Sequence, residues 1–188
     1  MSGTVWVIVL IAIFVVVGLA GVISYNRFVR QRNLVEESWR QIDVELHRRY
    51  DLIPNLVETV KGYAAHERGT FEAVTAARAA ASTPGTTPAE QAKQENILTG
   101  ALRQLFAVAE AYPQLRAVEQ FNSLQQQLSE TEDRIAAGRR FYNGNVRALN
   151  VRVESFPSSI IANVFGFKKA EYFEVEDPTV RSAPQVSF

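Results

Sequence analysis

The chain has no cysteine, only two histidines and a single methionine in 188 residues. Without cysteine there is no disulfide, no thiolate metal site and no cysteine nucleophile, and the composition suits any redox compartment. Net charge is missing as well. Twenty basic and twenty acidic side chains cancel, with a pI near 6.8, so no global field draws the molecule to nucleic acid or to an acidic surface. No glycine is followed directly by lysine and no Gly-x-Ser-x-Gly occurs, which removes the phosphate-binding loop and the nucleophile elbow. Bundle di-metal sites want Glu-x-x-His pairs, but Val44 and Tyr63 stand three residues before His47 and His66. Asp43, His47 and Asp51 follow one another at steps of four and read as a solvated charged face rather than a ligand set. The expectation is no catalytic residue, no metal and no cofactor.

Charge is also absent from one long stretch near the N-terminus. Val5 to Ile23, "VWVIVLIAIFVVVGLAGVI", would span about 29 Å as a helix, close to the thickness of a bilayer core. A cleaved signal peptide is the competing reading, and Gly18-Leu19-Ala20 is a passable cleavage site. Against it, no Lys or Arg precedes the run, and the run exceeds the usual apolar region of a signal. Arg27, Arg30 and Arg32 follow immediately. The positive-inside rule then places the N-terminus outside and residues 24–188 in the cytoplasm, with residues 5–23 in the cell membrane.

What remains is dominated by helical periodicity, and strand signals are nearly absent. Phe28, Val35, Trp39, Ile42 and Leu46 form one stripe, predicting a first helix over 25–50 that continues the membrane helix. Ile53, Leu56, Val57, Val60, Ala64, Phe71 and Val74 predict a second helix over 52–82, with Asp51 as its cap and Pro54 in its first turn. "STPGTTP" (Ser82 to Pro88) breaks the chain, and a third helix over 88–112 ends at Tyr112-Pro113. The fourth, over 117–155, stops at Phe156-Pro157. Short breaks between amphipathic segments make an antiparallel four-helix bundle the economical arrangement. The expected organisation is an anchor over 1–24, the bundle over 25–156, an irregular apolar segment over 157–177 and a disordered tail over 178–188.

Three features resist this simple pattern. Glu67 falls on the apolar stripe of the second helix, where an arginine partner from another helix, forming a buried polar layer, is expected. Gly138 and Gly144 stand inside the fourth helix. "YNRFVRQRNLVEESW" (Tyr25 to Trp39) echoes "YNGNVRALNVRVESF" (Tyr142 to Phe156), with Asn26 and Asn33 matching Asn143 and Asn150 at heptad spacing. If the first and fourth helices are antiparallel neighbours, Asn33 would face Asn143 and Asn26 would face Asn150; the alternative is that these are solvated flanks.

Taken together, "YNRFV", "RRYDLIPNLVETVKGYAAHE", "AEAYPQLRA", "LSETEDRIAAGRRFYNGNV" and "ESFPSSIIANVFGFKKAEYFE" resemble the LemA family in order and over nearly everything from Tyr25 to Glu176. The resemblance implies an N-terminal anchor, a cytoplasmic antiparallel bundle and no established biochemical activity. It supplies no catalytic residues. Many members look like partners of other membrane proteins.

The first functional expectation is a non-enzymatic, membrane-tethered interaction or scaffold protein, with protein partners or a second copy of itself. Its candidate partner-binding residues are Arg48, Arg49, Tyr50, Asn55 and Tyr112, gathered at the far tip of the bundle. The alternative is a lipid-handling or membrane-shaping module acting through Ile160, Ile161, Phe165, Phe167, Lys168 and Lys169. Asp51, Pro54, Glu67, Pro113, Tyr142, Asn143, Asn150, Phe156 and Pro157 are expected to serve architecture, as corners, caps or seams.

Overall fold

The computed structural model describes residues 3–174 and is all-α among them. Helix α1 runs over Gly3–Lys61, α2 over Arg68–Ala81, α3 over Pro88–Glu110 and α4 over Glu119–Glu154, and a short α5 covers Ser158–Phe165. A 3-10 turn at Pro113–Ala117 joins α3 to α4. The chain divides into two compact units. Among the described residues, one comprises those up to Arg40 with Phe141–Ala170, and the other Gln41–Arg140 with residues 171–174. The expected tail over 178–188, and residues 175–177 of the segment before it, lie outside the described residues.

In the second unit, the part of α1 from Gln41 onward packs with α2, α3 and the first part of α4. Ile42, Leu46, Ile53, Leu56 and Val60 of α1 are buried, as are Phe71 and Val74 of α2, Leu98 and Leu105 of α3, and Leu124, Leu128 and Ile135 of α4. Each is a step of three, four or seven along its helix, so the periodicity alone selects these faces. Helices α1 and α4 run antiparallel here: a Cβ at Gly138 would lie 3.0 Å from Ile42 Cγ1, Arg134 reaches Glu45 and Arg49 reaches Glu132. Gly138 therefore serves close approach of the two helices, which a side chain would disturb. Nothing in the structure makes a similar demand on Gly144.

The first helix does not turn at Asp51–Pro54. It passes through Pro54 and continues to Lys61, so Asp51 is an exposed mid-helix residue and caps nothing. Proline at 54 lacks the N–H that would donate to the carbonyl of Tyr50 four residues earlier, a defect of about 3 kcal/mol or more in an ordinary helix interior. Here Arg78 of α2 occupies the vacancy, with Nε donating to the Tyr50 oxygen at 2.6 Å. The corner lies instead over residues 62–67. Gly62 and Tyr63 follow Lys61, and bonds from Tyr63 N to Val60 O and from Glu67 N to Ala64 O tighten the chain into turns. Glu67 is accordingly half-buried at the N-cap of α2, not a buried member of a continuous stripe.

The other breaks fall where proline and glycine place them. Thr87 caps α3, its Oγ1 accepting from Glu90 N at 3.3 Å, Pro88 opens the helix, and Gly85 takes the left-handed φ of 84° needed to turn the chain. Tyr112-Pro113 ends α3 as expected. Beyond α4 the Phe156-Pro157 bond is cis, and α5 begins at Ser158.

In the first unit, α1 and α4 again run antiparallel. Trp39 packs against Tyr142 with ring centroids 5.4 Å apart, Gln31 Nε2 donates to Asn145 O at 3.0 Å, and the Arg152 guanidinium lies over Phe28. Of the two readings of the asparagine echo, the Asn26–Asn150 pairing does not form, and the helix-one asparagines are the solvated flanks of the alternative. Asn26 and Asn33 are exposed, while Asn150 clamps the backbone of Ala170, donating to its oxygen at 3.0 Å and accepting from its nitrogen at 2.8 Å. Polar contacts between the two helices include the half-buried Asn145, whose Nδ2 donates to the buried Ser38 hydroxyl and whose carbonyl accepts from Gln31.

Candidate functional site

Two places concentrate polar or exposed apolar groups beyond what packing needs. The first is a buried polar layer in the second unit. Arg49, about 2% exposed, donates to Glu95 Oε2 at 2.9 Å and to Thr99 Oγ1 at 3.0 Å, and reaches Glu132 Oε1 at 2.8 Å. The Tyr50 hydroxyl donates to the other Glu95 oxygen, and Gln91 Nε2 lies 2.8 Å from Tyr50 Oη and 2.8 Å from the Ala81 carbonyl. Thr86 closes the set by donating to Gln91 Oε1 at 2.6 Å. These residues come from four helices and the loop before α3, so the layer ties together segments that apolar contact alone would let slide.

Its electrostatics follow from burial. Desolvation, and then the Glu95 charge, raise the Tyr50 pKa far above the ordinary phenol range, so this hydroxyl stays a proton donor. Desolvation also raises the Glu132 pKa, with Arg49 opposing. Glu95 meets Arg49 at full hydrogen-bond geometry, and its carboxylate accepts from three different residues. A guanidinium cannot release a proton near neutrality, and the phenol is held protonated. The layer is suited to holding helices in register. It lacks an activated nucleophile, and among the described residues no group of three His, Cys, Asp or Glu side chains is placed to hold a metal ion.

The second place is in the first unit, where α5 folds back on α1. Helix α5 ends at Gly166, whose φ of 71° lets Phe167 N donate to Ala162 O at 2.9 Å and redirects the chain. Phe167 then stacks on Phe28 at 4.7 Å and 16°, and Tyr25 meets both Phe165 and Phe167. A Cβ at Gly21 would lie 3.9 Å from Ile161 Cδ1, so α5 rests on the last turns of the apolar run. Lys169 pairs with Glu154. A groove of about 810 Å³ opens beside α5, lined mainly by apolar side chains of α1, α4 and α5.

The sequence-predicted residues divide between roles. Of the five expected at an exposed tip, Arg49 and Tyr50 are buried in the polar layer and Tyr112 is half-buried at the α3 break. Burial follows from Arg49 and Tyr50 lying three and four residues after Leu46, and four and three before Ile53, on the core face of α1. Arg48 and Asn55 are exposed, and with Val44 and Asp51 they make one outward stripe at steps of four, three and four. Of the six expected at a membrane surface, Ile161 and Phe167 are half-buried against α1, while Ile160, Phe165, Lys168 and Lys169 are exposed, as are Phe156 and Val164, with one side of the Phe165 ring against Tyr25. Gln91, Glu95 and Glu132 were not anticipated. Gln91 and Glu95 stand at steps of seven and three before Leu98, on the stripe that continues through Leu102 and Leu105, and polar residues there carry the same signal that pointed to Glu67.

The first part of α1 is long and apolar enough to cross a membrane, with none of that stretch buried inside the protein. A family model, the LemA family, matches residues 38–188. Magnetosome protein MamQ 2 of Paramagnetospirillum magneticum is 31% identical over 175 residues, covering 80% of this chain and 64% of that relative. Magnetosome protein MamQ of Magnetospirillum gryphiswaldense is 29% identical over 79% of the chain and 64% of its own length. Protein LemA of Metamycoplasma hominis is 24% identical over 81% of the chain and 69% of that relative. The chain thus spans a little under two-thirds of the length of the MamQ proteins. With the family model covering most of the sequence and the all-α architecture in agreement, the chain belongs to the LemA family.

Proposed function

We propose that the protein is a non-enzymatic, membrane-anchored helical interaction protein. Its N-terminus lies outside the cell membrane, and the helices after the span lie in the cytoplasm, where they dock or scaffold other membrane proteins. The observation that supports this most is the make-up of α1. One uninterrupted helix carries the apolar run, a basic collar at Arg27, Arg30 and Arg32, and the exposed stripe of Val44, Arg48, Asp51 and Asn55. The stripe mixes an exposed valine with one charge of each sign and an amide, a composition suited to a specific helix-on-helix contact. The polar layer, by contrast, turns its groups on one another.

Alanine at Arg48 and Asn55 together tests the reading. Both side chains are exposed, so the helical circular dichroism and melting temperature stay within experimental error of the parent. Co-isolated membrane proteins, detected after crosslinking in native membranes, fall several-fold. Unchanged co-isolation would remove the stripe as the docking surface. A basic collar also predicts topology: a reporter that works only in the cytoplasm, fused after Phe188, is active, and an inactive fusion that is nevertheless expressed would reverse the orientation.

A further inference from the structure

The groove beside α5 is apolar along most of its lining and carries two arginines. Val17, Ala20, Gly21 and Ile23 form one wall, and Ile160 and Ile161 form the other. The guanidinium-bearing residues Arg27 and Arg152 also line it, and among the described residues lining it none is acidic. From Val17 to Ile23 the wall belongs to the apolar run, and from Ser24 to Arg27 it has passed the end. The whole length is about 15 Å at the helical rise, equal to about half a bilayer core. Arg152 adds an independent sign: its Nε is buried and has no hydrogen-bond partner, an arrangement that costs free energy unless an acceptor fills it. None of the ion pairs among the described residues engages Arg27 or Arg152.

We propose that this groove holds one anionic glycerophospholipid from the leaflet around the anchor, its acyl chain along α1 and its phosphate between Arg27 and Arg152. A neutral apolar occupant, such as a helix of a second chain, would bring no acceptor to the unpartnered Arg152 Nε or to Arg27 at the end of the groove. A phosphate supplies acceptors for both, in the geometry guanidinium groups favour. The bound lipid would wedge between the anchor and α5, fixing how deeply α5 sits. The proposal does not depend on which proteins the Val44–Asn55 stripe meets.

The test uses the full chain in membranes of mixed phosphatidylglycerol and phosphatidylcholine, extracted in mild detergent and analysed by native mass spectrometry. The parent retains one phosphatidylglycerol per chain, roughly tenfold over phosphatidylcholine, the ratio that about 1.4 kcal/mol of headgroup preference produces. Arg27→Gln with Arg152→Gln abolishes the preference, whereas Arg30→Gln, outside the groove, leaves it intact. Ala20→Trp fills the groove and excludes either lipid, with helicity checked by circular dichroism. The proposal is overturned if no lipid is retained, if retention ignores the groove substitutions, or if Arg30→Gln acts as strongly as the paired variant. It is equally overturned if Ala20→Cys, in this otherwise cysteine-free chain, crosslinks in high yield to a second copy.

Discussion

Pro54 and Arg78 show how one side chain repairs another's defect. The proline removes the donor for the Tyr50 carbonyl, and Arg78 Nε replaces it across 28 positions of sequence. Arg78→Ala is expected to cost about 1–3 kcal/mol, the penalty for a charge-assisted bond lost from a half-buried carbonyl. In a Pro54→Ala background the helix supplies its own donor, and the same change costs less. A thermodynamic cycle on the two substitutions reads the coupling, and additivity would show that Arg78 acts elsewhere. Arg49 presents the larger risk, since removing it leaves Glu95 buried without a counter-charge. Arg49→Ala is expected to lower stability by about 3–5 kcal/mol, measured by denaturant unfolding of the detergent-solubilised chain. Glu132 gives a pH signature. Its folded-state pKa lies above the ordinary carboxylate value, so the folded state holds the proton more tightly than the unfolded one, and stability falls as pH rises through that interval. The stability advantage of the parent over Glu132→Gln should therefore shrink from pH 4 upward, and an advantage that grows with pH would contradict the assigned direction.

At the scale of elements, what could be read depended on whether the deciding interaction was local. "STPGTTP", Tyr112-Pro113 and Phe156-Pro157 end helices where the sequence predicts, because glycine and proline act within a turn of themselves. Pro54 carries the same local signal, but it is answered by a residue of another helix, and no reading of residues 48–60 alone contains that residue. The true corner at 62–67 has only Gly62 to announce it, because Ala64, Ala65 and Glu67 are good helix formers and the apolar spacing from Ala64 to Phe71 continues in phase. The apolar stripes were legible throughout. The polar layer was half legible: the logic that a charge on an apolar stripe needs a partner was sound, but it belonged to Glu95 and Arg49 rather than to Glu67. Asn150 was recognised as structural, yet its partner is the backbone of Ala170, which a helix-to-helix echo does not reveal. Asn150→Ala removes both arms of that clamp. Amide exchange at Ala170 should then accelerate by one to two orders of magnitude, equivalent to about 1–3 kcal/mol of lost local protection, while exchange in α3 stays unchanged.

For the whole molecule, a LemA-family chain with an apolar N-terminal helix devotes its buried charges to one another and shows its surface character along α1 and around α5. The MamQ relatives are magnetosome proteins, and the apolar helix of this chain is long enough to cross a membrane. The proposed role as a tethered interaction protein predicts that the native chain is not found alone. The most direct measurement is isolation of the full chain from its own membranes in mild detergent after in-membrane crosslinking, with mass spectrometry of the captured species. Reproducible crosslinks from the Val44, Arg48, Asp51 and Asn55 stripe to one or a few membrane proteins, lost when Arg48 and Asn55 are alanine, are the predicted result. A chain recovered always as a monomer, with no crosslink from that stripe, would contradict the account.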